Sequence, residues 1–318
     1  AFKSSGDSEV LLELWAKYQE KCLDMLDGIF SFSILDKTTG LLTVVRDHFG
    51  IKPLYYAQTE NGFIFSSEIK AILLEKSVSR DINIQAVASV LELLWQPGSE
   101  TVLKSVNKLK PGTLLRVRGG KIESEDRFFQ KTEYKGNFSL LESMNELEKS
   151  LIESVESQMV SDVEVGAFLS GGLDSSLICA IAKNANPNFK KVYSIDIDSD
   201  DNKKEGLEDD LPFAQIVAKD LNLELNVVKS KSSLTDLIGE CIYHLDEPQA
   251  DPAILNAYKI CSLAKEDGIK VLLSGAGGDD FFTGYRRHYA AHLENKLSII
   301  PKPVRRFIAE ASCFLPSN

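Results

Sequence analysis

Seven residues of this chain combine the groups that capture an anion: Ser170-Gly171-Gly172-Leu173-Asp174-Ser175-Ser176. Glycines let an anion reach backbone N–H groups, hydroxyls donate hydrogen bonds, and a carboxylate holds a divalent counter-ion, so the chemistry is that of a bound phosphate or pyrophosphate. A second segment of similar character is Ser274-Gly275-Ala276-Gly277-Gly278-Asp279-Asp280. There Asp279 and Asp280 bring carboxylates next to a glycine-rich bend, as metal ligands or as the acidic first turn of a helix. Neither segment fits a standard nucleotide motif. The first lacks the lysine of a Walker loop, and the second has Asp280 where a dinucleotide fingerprint needs its last glycine.

The elements that must position these residues are legible around them. Residues 163–169 form an apolar run before the first loop, and Leu177-Ile178-Cys179-Ala180-Ile181-Ala182 continues it as a helix. A buried strand, then glycines and hydroxyls, then a helix start aims several N–H groups and a positive dipole end at one point. Further strands are expected at 191–197, 223–228 and 270–273, separated by helical patterns at 175–184, 211–221 and 251–266, after a helix at 140–160. Such alternation predicts a parallel sheet with helices on both faces. Ligands of such sheets lie beyond the carboxyl ends of the strands, where the first loop, residues 196–201 and the second loop are expected to converge.

The amino-terminal part reads differently. An amphipathic helix beginning at Asp7-Ser8-Glu9 carries apolar residues at 11, 14, 15, 18 and 22. Short strands follow at 29–35, 41–45, 53–57 and 63–66, split by Lys37-Thr38-Thr39-Gly40 and Glu60-Asn61-Gly62. Residues 67–76 and 83–94 are read as helices, and the turn signals Gln96-Pro97-Gly98, Lys110-Pro111-Gly112 and Arg118-Gly119-Gly120 break up a short-strand region ending near Phe129. A polar stretch over 130–140 places the domain boundary at 135/136, giving domains 1–135 and 136–318.

The bulk numbers narrow the function. The 318 residues carry a formal net charge of −11, which argues against binding to a nucleic-acid backbone. Five cysteines, at 22, 179, 241, 261 and 313, form no Cys-x-x-Cys pair, so a reducing, cytoplasmic setting is expected. No apolar run is long enough to cross a membrane, and the opening Ala1 suggests a piece of a longer protein.

The Ser170 loop resembles the pyrophosphate loop of the ATP-pyrophosphatase family, whose members cleave ATP to AMP and pyrophosphate. The resemblance widens through Asp27-Gly28-Ile29-Phe30-Ser31-Phe32-Ser33-Ile34-Leu35-Asp36, Arg46-Asp47-His48-Phe49-Gly50-Ile51-Lys52-Pro53-Leu54-Tyr55-Tyr56, Phe65-Ser66-Ser67-Glu68-Ile69-Lys70-Ala71 and Asp246-Glu247-Pro248. With Leu273-Ser274-Gly275, these segments are similar to the glutamine-hydrolysing asparagine synthetases, in the family's order and over most of the chain.

That resemblance implies a fold, α+β then α/β: the second part of an N-terminal-nucleophile αββα sandwich, then a parallel-sheet ATP-pyrophosphatase domain. It implies ATP and Mg²⁺, with glutamine, ATP and aspartate or another carboxylate as small-molecule partners and a homodimer as the usual assembly. Ammonia from glutamine would displace AMP from an adenylated carboxylate to leave an amide. Asp174 and Asp279 match the Mg²⁺ ligands and catalytic carboxylates. Phe168 and Ile195 match the nucleotide's apolar flanks, Ser170 to Ser176 the pyrophosphate contacts, Ser274 and Gly275 backbone contacts, and Asp7 the glutamine-binding aspartate.

Several features depart from the pattern. The family's nucleophile is a cysteine at the mature N-terminus, using its own amino group as base. It is expected to precede this chain, because Cys22 falls at a helical core position; further synthetase residues are expected beyond the other end. Relatives commonly carry glutamate where Ala276 stands, and its loss opens the choice of acceptor. The alternatives are amidation of another carboxylate in surface-polysaccharide biosynthesis, or a non-catalytic nucleotide- or partner-binding subunit. Of the histidines, His48 lies in the Arg46-Asp47 turn, Cys241-x-x-His244 has a ligand-like spacing but no further ligands in the sequence, and His288 and His292 share a helix face next to Arg286 and Arg287, read as a solvated face or as one that meets an acidic acceptor.

Overall fold

The computed structural model describes residues 2–4, 6–130, 136, 138–196, 210–229, 237–297, 300, 301 and 303–306. The chain divides into two compact units, Ala1–Asn137 with Leu234–Leu255, and Phe138–Ser233 with Asn256–Asn318. The sequence reading drew one continuous boundary; here the region around 237–255 joins the first unit instead, because its polar groups bond there.

In the first unit, β1 (Ser31–Asp36), β2 (Leu41–Arg46), β6 (Thr113–Arg118) and β7 (Lys121–Arg127) form an antiparallel sheet in that order. A second sheet has the order β4 (Gly62–Ser66), β3 (Tyr55–Thr59), β5 (Asn107–Lys108). Period-two alternation separates the two faces of the first sheet. Val45 and Leu114 pack with Trp15 of α1 (Asp7–Tyr18) and with Cys22 and Leu23 of the 3₁₀ turn after it. Val44, Leu115 and Val117 face the other way, against Tyr56, Phe63 and Phe65 of the second sheet. Beyond that sheet, Tyr55 and Ala57 pack on Ile69 and Ile72 of α2 (Ile69–Ile72).

Two helix starts differ in detail from the sequence reading. Gly6 takes the N-cap position of α1 without a side-chain cap, leaving Asp7 in the first turn. The helix expected over 67–76 shrinks to α2, whereas α3 (Ile84–Leu93) starts at Asn83, whose Oδ1 accepts from the Ala86 N–H at 3.3 Å.

The second unit holds a wholly parallel sheet in the order β10 (Glu224–Lys229), β9 (Lys191–Asp196), β8 (Val165–Phe168), β11 (Val271–Leu273). α4 (Leu140–Gln158) opens with a capping box between Ser139 and Glu142. On one face of the sheet, Val165, Ala167, Val192 and Leu273 pack on Val155 of α4, Cys179 and Ala182 of α5 (Leu173–Ala185), and Ala214 and Ala218 of α6 (Leu211–Asp220). On the other, Tyr193 packs on Ile260 and Ala264 of α8 (Ala253–Glu266), which follows α7 (Ile238–Leu245) in the chain. Apolar strands covered on both faces are what a parallel sheet demands. The chain continues through α9 (Gly278–Phe282) and α10 (Arg286–Leu297).

Candidate functional site

Strand β8 ends at Phe168, and the loop Ser170 to Gly172 turns the chain directly into α5. Gly171 has φ +85°, and a Cβ there would run into the backbone of Phe213 and Ala214 at the start of α6. Only glycine fits, for conformation and for space. The hydroxyls of the loop then divide. The Ser175 Oγ accepts from the Ser170 N–H at 3.3 Å, shares a hydrogen bond with the Ser170 Oγ at 3.0 Å and donates to the Gly172 carbonyl at 3.2 Å. That side chain, 8% exposed, braces the loop internally. The Ser176 Oγ is buried and has no hydrogen-bond partner. An unpartnered buried hydroxyl in the first turns of a helix, where the leading N–H groups also lack intrahelical acceptors, is suited to an incoming anion.

The second loop leaves β11, the strand beside β8, and packs onto the first. A Cβ at Gly275 would press on the Ser175 N–H and on Asp174, and one at Gly278 would overlap the Asp174 carboxylate. One at Gly284 would overlap the carboxylate of Asp279. Three glycines thus seat two carboxylates: the Asp174 side chain lies against the residue before Asp279. Gly278 and Gly284 also close turns, their N–H groups donating to the carbonyls of Gly275 and Asp279 at 3.1 and 3.2 Å, so their second role as seats for carboxylates has no signal in the sequence. The Ala276 N–H donates to the Ser274 Oγ at 3.1 Å, so that hydroxyl serves the bend of its own loop. Phe168 and Ile195 pack together on the α8 face of the sheet, with Tyr193 and Ile260. Residues 197–201 lie outside the described residues, so the third loop expected here is not drawn into the site.

Among the described residues, no three His, Cys, Asp or Glu side chains converge to form a metal cage. The carboxylates of Asp174 and Asp279, seated by the three glycines, are of the kind that could hold Mg²⁺, which takes one or two carboxylates and completes its octahedron with other oxygens. Burial pushes the Cys179 thiol up to about 12, which makes it a core residue with no nucleophilic role. Burial likewise raises the Cys22 thiol, and its side chain is wholly inaccessible. His288 has a buried, unpartnered Nδ1, and His292 is exposed on α10.

The first unit has its own recess. Asp7, at the start of α1, lines a cleft of about 590 Å³ with Ser8, Asp27, Gly28 and Lys52 around apolar Leu11, Leu26 and Phe30. Two carboxylates, Asp7 and Asp27, and the Lys52 ammonium in one cleft suit a zwitterion such as an amino acid. Lys52 was not singled out from the sequence, because nothing in its spacing set it apart from a surface lysine. Asp47, 1% exposed, fixes that stretch by accepting from the N–H groups of Phe49, Ile51 and Lys52 at 2.9–3.1 Å. The Arg46 guanidinium holds the carbonyls of Lys52, Leu109 and Gly50 at 2.5–2.8 Å.

Residues 146–313, more than half of the chain, match the family model described as asparagine synthase, and residues 1–129 match a glutamine amidotransferase domain. The chain belongs to the asparagine synthase family. Two Bacillus subtilis relatives are named glutamine-hydrolyzing asparagine synthetases 1 and 3. The first is 30% identical over all of this chain and 49% of its own length, the other 30% identical over 92% and 49%. The chain therefore spans about half the length of the relatives it matches. Among solved structures, the glutamine-dependent NAD⁺ synthetase of Acinetobacter baumannii covers 88% of this chain at TM-score 0.32 and 14% identity, with 67% of that protein matched. No helix among the described residues is long and apolar enough to cross a membrane.

Proposed function

We propose that the full-length protein is an ATP-dependent, glutamine-hydrolysing amidotransferase that adenylates a carboxylate, with aspartate as the first acceptor to test. Glutamine-derived ammonia then displaces AMP and leaves an amide, in this case asparagine, with pyrophosphate as the other product. The observation that carries this reading is the seating of Asp174 against Gly278 where the loops after two neighbouring parallel strands meet.

In this reading the β- and γ-phosphates lie on the N–H groups at the start of α5, with Ser176 and Ser170 donating hydroxyl hydrogen bonds. Asp174 and Asp279 would hold Mg²⁺, which when bound neutralises charge on the departing pyrophosphate. Ser175 keeps the loop in shape, and Phe168 and Ile195 offer an apolar flank to the base. In the first unit, Asp7 would bind the ammonium group of glutamine within a nucleophile-dependent sandwich. The cytoplasm, where glutamine and ATP are abundant, is the corresponding location.

Ala276 favours a second reading, amidation of a different carboxylate. A methyl group there offers no acid or base and no negative charge near the acceptor. The test is pyrophosphate release by the full-length protein with ATP and Mg²⁺, using ammonia or glutamine, over a panel of carboxylates. Release that depends on aspartate supports the first reading, and release only with another acid the second. Asp174→Asn should abolish release in either case, and full activity in that variant refutes the Mg²⁺ assignment.

A further inference from the structure

A turn that lies inside the region matched by the asparagine synthase model bonds instead within the amidotransferase-type unit. It follows α7, whose last turn ends on Asp246 in a left-handed conformation, φ 61°. The Asp246 Oδ2 accepts from the Ile69 N–H at 2.8 Å, an unpaired donor at the start of α2, and its Oδ1 pairs with Lys70 at 2.9 Å. Lys70 also donates to the Tyr243 carbonyl at 3.0 Å. Glu247 takes the Tyr55 hydroxyl on Oε2 at 3.1 Å, and its Oε1 lies 3.3 Å from Lys108. Farther along, the Ala250 N–H donates to the Leu94 carbonyl at 2.8 Å.

These ion pairs are not ordinary surface pairs. The Asp246 side chain is 7% exposed and Glu247 15%, with Lys108 at 12%. Removing one partner of such a pair leaves an uncompensated, desolvated charge, which is costly. Burial, then the adjacent Glu247 carboxylate, raises the Tyr55 hydroxyl well above its ordinary range, which keeps it a donor to Glu247. The chain enters this segment after β10 and leaves it through α8, whose residues from Asn256 onward belong to the parallel-sheet unit. The segment is therefore a fixed point on the first unit, joined covalently at both ends to the second.

We infer that Asp246 and Glu247 form a clasp that fixes this segment to the first unit and so couples glutamine hydrolysis to use of the ammonia at the ATP site. They are positioning residues, touching neither glutamine nor ATP. The coupling half of this inference rests on the proposed amidotransferase function; the clasp half does not.

The test uses full-length protein with Glu247→Gln and Asp246→Asn, which keep shape and remove charge. Amide hydrogen exchange over 238–250 is expected to rise about 10- to 100-fold while exchange in β8 and β9 stays unchanged. Unchanged exchange over 238–250, or a rise spread evenly over the whole chain, overturns the clasp. In the same proteins, glutamate formed per pyrophosphate should climb from near one toward several, with ammonia-supported pyrophosphate release held within about twofold. A parental ratio alongside faster local exchange overturns the coupling, as does equal loss of the ammonia- and glutamine-supported reactions. If the parent releases no pyrophosphate with any carboxylate, the proposed function fails, while the exchange experiment still decides the clasp.

Discussion

Replacing Ser175 and Ser176 one at a time by alanine separates two roles that their adjacency conceals. Ser175 makes three contacts within the loop, to the Ser170 N–H, the Ser170 Oγ and the Gly172 carbonyl. The Gly172 carbonyl keeps a second partner in the Ser176 N–H at 3.1 Å, so the loss falls mainly on Ser170. Ser170 is exposed, so its freed N–H can turn to water, and Ser175→Ala should cost about 0.5–1.5 kcal/mol, the net worth of an ordinary hydrogen bond. Ser176 is the opposite case, because its buried Oγ has no partner to lose. Ser176→Ala should be neutral or stabilise by up to about 1 kcal/mol, since desolvation of an unpaired hydroxyl is relieved.

Binding should sort the two variants the other way. A hydrogen bond from Ser176 to a charged phosphate oxygen is worth about 1.5–3 kcal/mol, so Ser176→Ala should weaken pyrophosphate or Mg-ATP roughly 10- to 150-fold. Urea titration followed by far-ultraviolet circular dichroism, which reads the helices of the second unit, gives the stabilities, and calorimetric titration with pyrophosphate gives the affinities. A Ser176→Ala protein as destabilised as Ser175→Ala, or one that binds pyrophosphate as tightly as the parent, refutes this division of labour.

Gly171→Ala combines a left-handed φ with a clash against Phe213 and Ala214, and should cost about 2–5 kcal/mol in the same titration; a change under about 0.5 kcal/mol contradicts the close approach of α6. Stability should fall as pH rises above about 10. Burial, then the Asp267 carboxylate that accepts the Tyr193 hydroxyl at 3.0 Å, raises that phenol in the folded state. Its stabilisation is thus fully present below the unfolded value and lost above it. Urea midpoints measured on either side of that pH should show a shallower decline in Tyr193→Phe. Cys179, buried and with its thiol raised, should escape alkylation at pH 8 in the native protein and react once urea unfolds it, as read by peptide mass spectrometry. Labelling of Cys179 in native protein at the unfolded rate would contradict its burial.

The Ser170 loop could be read from sequence because its chemistry is local. Hydroxyls, glycines and a carboxylate stand within seven residues, between an apolar run and a helix pattern. The parallel sheet was equally legible, since strands buried on both faces carry apolar runs, as in 165–168 and 271–273, and these alternate with helical patterns. Such features depend on residues a few positions apart, and a single chain displays them directly.

What the tertiary structure decided depends on pairs far apart in sequence. Ser175 and Ser176 are the same residue type side by side, and only helix rotation makes one a brace and leaves the other unpartnered. Gly278 and Gly284 gain meaning from the Asp174 and Asp279 carboxylates packed on them. The partners of Asp246 and Glu247 lie more than 100 residues away, at Ile69, Lys70, Tyr55 and Lys108. Composition and spacing specify which groups are available, but whether a buried charge or hydroxyl is satisfied is settled only when distant segments are brought within hydrogen-bonding distance.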